Sequence, residues 1–192
     1  MGDDALRMAN QLVMTPQLQM AIRLLSTPSA DVAALIASTP GLALEPSSPD
    51  PLRQLFTRDE DDDGPPWEFR ELPSDVTADV WLDGNPPRAL ANRRALPDIR
   101  VTEPTRDAQW VVRALVQRAR TFERVVGALA QLRPQLAIAM SADEITPVKP
   151  RDIAEAIGLH ESTVARVAQA CTLQTRHGIH KLVASKRGIS VA

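Results

Sequence analysis

The sequence predicts a mainly α-helical fold: an N-terminal helical hairpin, a disordered acidic linker and a helical C-terminal domain that contains a helix-turn-helix. Three observations carry that expectation. Two Thr-Pro pairs, Thr15-Pro16 and Thr27-Pro28, each precede apolar residues at helical spacing. A proline-rich stretch without periodicity follows, ending in the acidic run Asp59 to Asp63. The segment RDIAEAIGLHESTVARVAQ, residues 151–169, reads as two short helices across a glycine turn.

The first organised block spans residues 5–43. Threonine caps the orphan amides of a helix N-terminus, and proline suits its first turn, so Thr15-Pro16 opens one helix and Thr27-Pro28 the next. Leu18, Ala21, Ile22 and Leu25 recur on one face of the first helix, and Val32, Leu35 and Ile36 continue the second. Arg23 is the one charge between Pro16 and Ser26. A pair of short helices this apolar docks on another surface, and two destinations are open: the rest of this chain or a partner.

Residues 44–66 lack periodicity and are read as an acidic, Pro-rich linker. Residues 67–104 form an extended segment with one short hairpin, around DVTADVWLDG and the turn chemistry of DGNPP. The third unit, residues 105–192, is expected to be helical. Its long amphipathic helix starts near Thr105 and follows Trp110, Val111, Ala114, Leu115, Arg118, Phe122, Val125, Val126 and Leu129 to Pro134. The opposite face is assigned Arg113, Arg118, Arg120 and Arg124. A further short helix, Pro134 to Met140, precedes the helix-turn-helix at 150–170.

In that motif Ile153, Ala154, Ile157 and Leu159 form the inner side of the first helix, and Val164 and Val167 that of the second. Ala154 permits close approach, Gly158 makes the turn and Val164 fills the wedge between the helices. Glu161, Ser162, Thr163 and Arg166 lie on the outer face of the second helix, with His160 in the turn. These side-chain types reach base edges and phosphates, so the five residues are the candidate DNA-binding set.

The formal charge of −2 hides an asymmetry: residues 1–87 carry a net −10 and residues 88–192 a net +8. The basic half suits nucleic acid or an acidic protein surface. The single cysteine, Cys171, excludes an internal disulfide and fits a reducing cytoplasm. No apolar run is long enough to span a bilayer. Neither G-x-x-x-x-G-K-[ST] nor G-x-G-x-x-G is present, and no catalytic constellation points to an enzyme. Cys171, His177 and His180 lack a fourth ligand and match no common zinc spacing, so neither a metal nor a cofactor is expected.

Four collinear pieces together resemble one family. NQLVMTPQLQMAIRLLSTPSADVAALI is similar to the N-terminal regulatory region of sigma-54 factors, the enhancer-dependent specificity subunits of bacterial RNA polymerase. DVTADVWL, AQWVVRALVQRARTFERVVGAL and VKPRDIAEAIGLHESTVARV followed by RHGIHKL resemble that family's later segments, in the family's order. The resemblance implies that residues 5–43 are an activator-interacting region. Met14, Thr15, Pro16, Gln17, Leu18, Ile22 and Leu25 would form the activator- and polymerase-contacting set. It implies that residues 105–192 are part of a core-binding domain, with the family's C-terminal promoter-reading domain outside the chain. The implied partners are core RNA polymerase, an AAA+ enhancer-binding activator and, weakly by the chain alone, promoter DNA. The implied function is transcription initiation; a non-initiating competitor of a full-length sigma-54 and a decayed fragment are the alternatives.

Overall fold

The computed structural model describes residues 15–44, 72–138 and 145–192. The expected acidic linker, apart from Leu44, lies outside the described residues, as do Trp67, Phe69 and Met14.

Both Thr-Pro pairs stand at helix boundaries, but only Thr15 caps a helix start with its side chain. Thr15 Oγ1 accepts from the Leu18 amide at 3.2 Å and opens α1, Pro16–Ser26. Thr27 Oγ1 donates back to the Arg23 carbonyl at 2.7 Å, and Pro28 ends the helix by opening α2, Ser29–Ile36. A short strand β1, Leu42–Leu44, pairs antiparallel with β4, Ile99–Val101. Between them in sequence, β2 (Val80–Asp83) and β3 (Arg88–Ala91) form a hairpin across Gly84 to Pro87.

Helix α3, Arg106–Leu132, is the spine of the molecule; at 27 residues it is about 40 Å long. Thr105 caps it, its hydroxyl accepting from the Ala108 amide at 3.1 Å. One core cluster joins Val111, Val112, Leu115 and Ala119 of α3 to Leu24, Val32 and Ile36 of the N-terminal hairpin. The other joins Phe122, Val125, Val126 and Leu129 to the helix-turn-helix and the main sheet. A single amphipathic helix thus serves two cores along its length.

The helical expectation for residues 105–192 holds only as far as Ala170. Beyond it come three strands, β5 (Thr172–Thr175), β6 (Gly178–Ser185) and β7 (Gly188–Val191), forming an antiparallel meander. Of the expected helix from Pro134 to Met140, the described part holds a 3-10 turn, Pro134–Ala137, while Ala139 and Met140 lie outside the described residues. The meander joins the β2–β3 hairpin in a five-stranded sheet of order β3-β2-β5-β6-β7. Only the β2–β5 junction is parallel, with Val80 opposite Leu173 and Trp81 opposite Gln174. The physical signal for the meander is local. Arg176-His177 and Lys186-Arg187 are two-residue loops, each followed by a glycine at positive φ, flanked by β-branched residues. The expectation of a mainly α fold therefore holds in part, since a substantial sheet joins the helices.

Candidate nucleic-acid interface

The helix-turn-helix is built by α4, Pro150–Ile157, and α5, Glu161–Ala170. Gly158 adopts φ 64° at the end of α4, where a Cβ would be strained, and the Leu159 amide donates back to the Ala154 carbonyl at 3.0 Å. His160 then caps α5: its Nδ1 accepts from the Ser162 amide at 3.2 Å and lies 2.9 Å from Ser162 Oγ. Accepting at Nδ1 assigns the proton of the neutral ring to Nε2. Ile153, Ala154, Val164 and Val167 are buried between the two helices and α3. Arg124 of α3 donates to the Ile157 carbonyl and ties the spine to the turn.

The five candidate DNA-binding residues come together along the first two turns of α5. His160 and Glu161 are exposed; Ser162, Thr163 and Arg166 are half-buried. Arg166 Nη1 donates to Ser162 Oγ at 3.4 Å, so His160, Ser162 and Arg166 form one chain of polar contacts. Arg151, paired with Glu155 at 2.7 Å, also feels the charge of Glu161. Outside the motif, α1 packs alongside α5 as well as against α3.

That docking settles where the N-terminal hairpin goes. It lies on the rest of the chain, and the buried residue of α1 is Leu24, 1% exposed. Met20 packs beside Leu24, and Leu25 packs on the helix-turn-helix core. The expected stripe of Leu18, Ile22 and Leu25 is therefore split: Leu18 is 44% exposed, Ile22 half-buried and Leu25 turned inward. Thr15 and Pro16 are exposed and Gln17 is half-buried. With one charge in eleven residues, α1 has apolar groups on most sides, and only its neighbours decide which are covered.

Arg118 stands in the sequence both within the apolar stripe of α3 and among the arginines of its opposite face, and the structure puts it on the inner side. It is 2% exposed. Nε donates to the Leu24 carbonyl at 2.8 Å, Nη2 to the Thr27 carbonyl at 2.8 Å and Nη1 to Ser29 Oγ at 3.0 Å. The guanidinium also stacks over Phe122, 4.2 Å from the ring centre. Asp79 supplies the counter-charge, its Oδ1 accepting from Ser29 Oγ and its Oδ2 from the Thr172 amide and hydroxyl at 2.8 and 2.7 Å. Burial lowers the Arg118 pKa and the Asp79 charge opposes that shift. The Cys171 thiol beside them is pushed well up by burial, then by Asp79, and stays protonated. Sequence reasoning missed Asp79 and Leu24 altogether; the i to i+4 spacing of Met20 and Leu24 was the one available signal. Among the described residues no cluster of three His, Cys, Asp or Glu suited to a metal occurs, and no helix is long and apolar enough to cross a membrane.

A helix-turn-helix on a long spine, with a helical hairpin docked against its second helix, is an arrangement suited to a DNA-binding domain. Comparison with known families agrees. Residues 100–185 match the family model described as "Sigma-54, DNA binding domain", and residues 5–38 the one described as "Sigma-54 factor, Activator interacting domain". The RNA polymerase sigma-54 factor of Rhizobium meliloti is 33% identical over 119 residues, covering 53% of this chain and 23% of that protein. That of Caulobacter vibrioides is 33% identical over 75 residues (39% and 15%), and that of Bacillus subtilis 31% over 74 (38% and 17%). The chain belongs to the sigma-54 family. It aligns with less than a quarter of the length of each of these relatives. The helix-turn-helix, residues 150–170, lies within the range matched to the DNA-binding domain.

Proposed function

We propose that this chain acts in the cytoplasm as a sigma-54-type transcription initiation factor, a binding protein and not an enzyme. It docks on core RNA polymerase, presents α5 to promoter DNA and responds to an AAA+ activator through the N-terminal hairpin. The observation that supports this reading is the packing of α1 on both α3 and α5, because the activator-interacting segment then restrains the DNA-binding helix directly. An activator that pulls the hairpin away changes what α5 and α3 present.

In this reading His160, Glu161, Ser162, Thr163 and Arg166 meet the duplex, with Arg166 held in place by Ser162. Leu18 and Ile22, with the exposed Thr15-Pro16 start, remain available on α1 for the activator. Polymerase supplies most of the affinity, so a net charge of −2 is compatible with a DNA-binding role. The test is co-elution with core polymerase followed by activator-dependent opening of a sigma-54 promoter. Co-elution with no opening would replace the initiation reading by that of a competitor. Absence of co-elution would overturn both.

A further inference from the structure

Residues 162–192 contain five Lys or Arg and no Asp or Glu. Among these cations Arg176 is neutralised by Asp83, at 2.7 Å, and Arg166 lies on α5 itself. Two of the others, Lys186 and Arg187, are adjacent and form the two-residue loop between β6 and β7; both are exposed. Neither has an ion-pair partner among the described residues. The family match to the DNA-binding domain stops at Ser185, one residue short of them.

The loop is held rigidly. Ser185 Oγ accepts from the Arg187 amide at 3.2 Å and donates to the Gly188 carbonyl at 2.9 Å, closing the turn from inside. β7 is also paired on its outer side: Val148 and Ile189 exchange both backbone hydrogen bonds, at 2.9 and 2.7 Å. Val148 immediately precedes Lys149, the cap residue of α4, so the loop is registered against the start of the helix-turn-helix. Gly188 makes this approach possible, since a Cβ there would lie 2.5 Å from the Val148 carbonyl oxygen and 3.2 Å from the Lys149 amide. On its other side β6 packs against α5. The hairpin thus carries two unpaired cations at a fixed place beside both helices of the motif, with exposed Lys149 alongside. Asp152, in the first turn of α4, is the acidic residue nearest to Lys149 in sequence.

We propose that the β6–β7 hairpin is a second DNA-contacting element, a wing whose Lys186 and Arg187 grip backbone phosphates flanking the segment that α5 occupies. The proposal rests on the DNA-binding reading above and adds a contact to it. Phosphate is the ligand that two exposed, unpaired, adjacent cations on a rigid ribbon suit, and such contacts set position without reading sequence. The wing therefore contributes affinity and register, while α5 contributes the choice of sequence.

The test is a salt titration of the full chain on two short fluorescent duplexes, one with a sigma-54 promoter sequence and one scrambled. Replacing two phosphate-contacting cations in Lys186→Ala/Arg187→Ala should flatten the slope of log affinity against log salt by about 1.8. The variant would then lose about tenfold less affinity than the parent between about 50 and 200 mM salt. The preference for promoter over scrambled DNA should be unchanged. An unaltered thermal melt establishes that the variant folds, and Lys186→Gln/Arg187→Gln provides a polar replacement if the first does not. An unchanged slope, in a parent whose binding Arg166→Ala still weakens, overturns the wing and leaves the DNA-binding reading standing. A comparable change in slope from Arg88→Ala, on the opposite edge strand, overturns it as a net-charge effect. Loss of polymerase co-elution with an unchanged slope also overturns it and reassigns the tip to a protein surface. A parent that binds neither duplex overturns the DNA-binding reading and the wing together.

Discussion

Arg118 Nη1 stands 3.8 Å from Asp79 Oδ1, and both side chains are almost wholly excluded from solvent. Ser29 bridges them, donating to Asp79 and accepting from Arg118, while Thr172 satisfies the other carboxylate oxygen. Four segments from distant parts of the chain therefore meet on one ion pair: the hairpin, the approach to β2, the spine and the start of β5. An ion pair this buried contributes little net stability compared with an apolar replacement, but loss of one partner is costly because the other charge is left unpaired.

Arg118→Met should accordingly lower stability by about 3–5 kcal/mol and release the hairpin before the rest unfolds. Arg118 makes three of its hydrogen bonds to Leu24, Thr27 and Ser29, all within that hairpin. Hydrogen exchange should show residues 16–36 losing protection while the amides of β5 and β6 keep theirs. Equal loss everywhere would mean that the hairpin and the spine unfold as one unit.

The two faces of α1 should separate cleanly on substitution. Leu24→Ala removes a fully buried side chain and should cost about 2–5 kcal/mol, read from a denaturant melt. Leu18→Asp, on a residue 44% exposed, should leave the melt within experimental scatter yet abolish activator-dependent promoter opening. Leu25→Asp belongs with the first, because Leu25 packs on the helix-turn-helix core. A stable Leu25→Asp variant would show that the hairpin lies outside that core.

Two glycines with positive φ should respond differently to alanine. At Gly158 nothing stands within 4 Å of where a Cβ would sit, so only the left-handed backbone angle opposes the change, at a cost of about 1 kcal/mol. At Gly188 the same substitution also drives a methyl group into the Val148 carbonyl. Its larger loss of stability should show in melts of the two single variants. Equal losses would mean that the Val148 segment yields to the methyl group.

Glu123 predicts a pH dependence. Burial raises its pKa, opposed by the hydrogen bond that the Ala91 amide donates to Oε2 at 3.1 Å and by the charge of Arg120. The folded state therefore holds this proton more tightly than the unfolded chain. The stability so contributed is complete below the ordinary glutamate value and is lost as pH rises through the elevated folded value. Glu123→Gln should raise the melting temperature at neutral pH, and its advantage should shrink as pH falls. An advantage that stays constant across that range would remove the titration of Glu123 as its cause.

What the sequence determined by itself was everything written in short-range chemistry. The Thr-Pro caps of α1, the start of α3 at Thr105, the Gly158 turn and the bounds of α4 and α5 follow from residues within a turn of each other. Family membership was legible for the same reason, since its signatures are contiguous. The β5–β7 meander was also written locally, in two-residue loops followed by glycine, but a helical stripe and a helix-turn-helix drew the expectation toward helix. Tertiary structure alone decided which side of α1 is buried, because a helix with one charge presents apolar groups all round. It alone decided that Arg118 is internal, since an arginine on a helix is buried only where distant carbonyls and a carboxylate converge on it. It also set the parallel β2–β5 pairing, where Asp79 and Thr172 stand 93 residues apart in sequence. Such pairings depend on complementary surfaces that exist only once the segments have folded, and no local pattern encodes them.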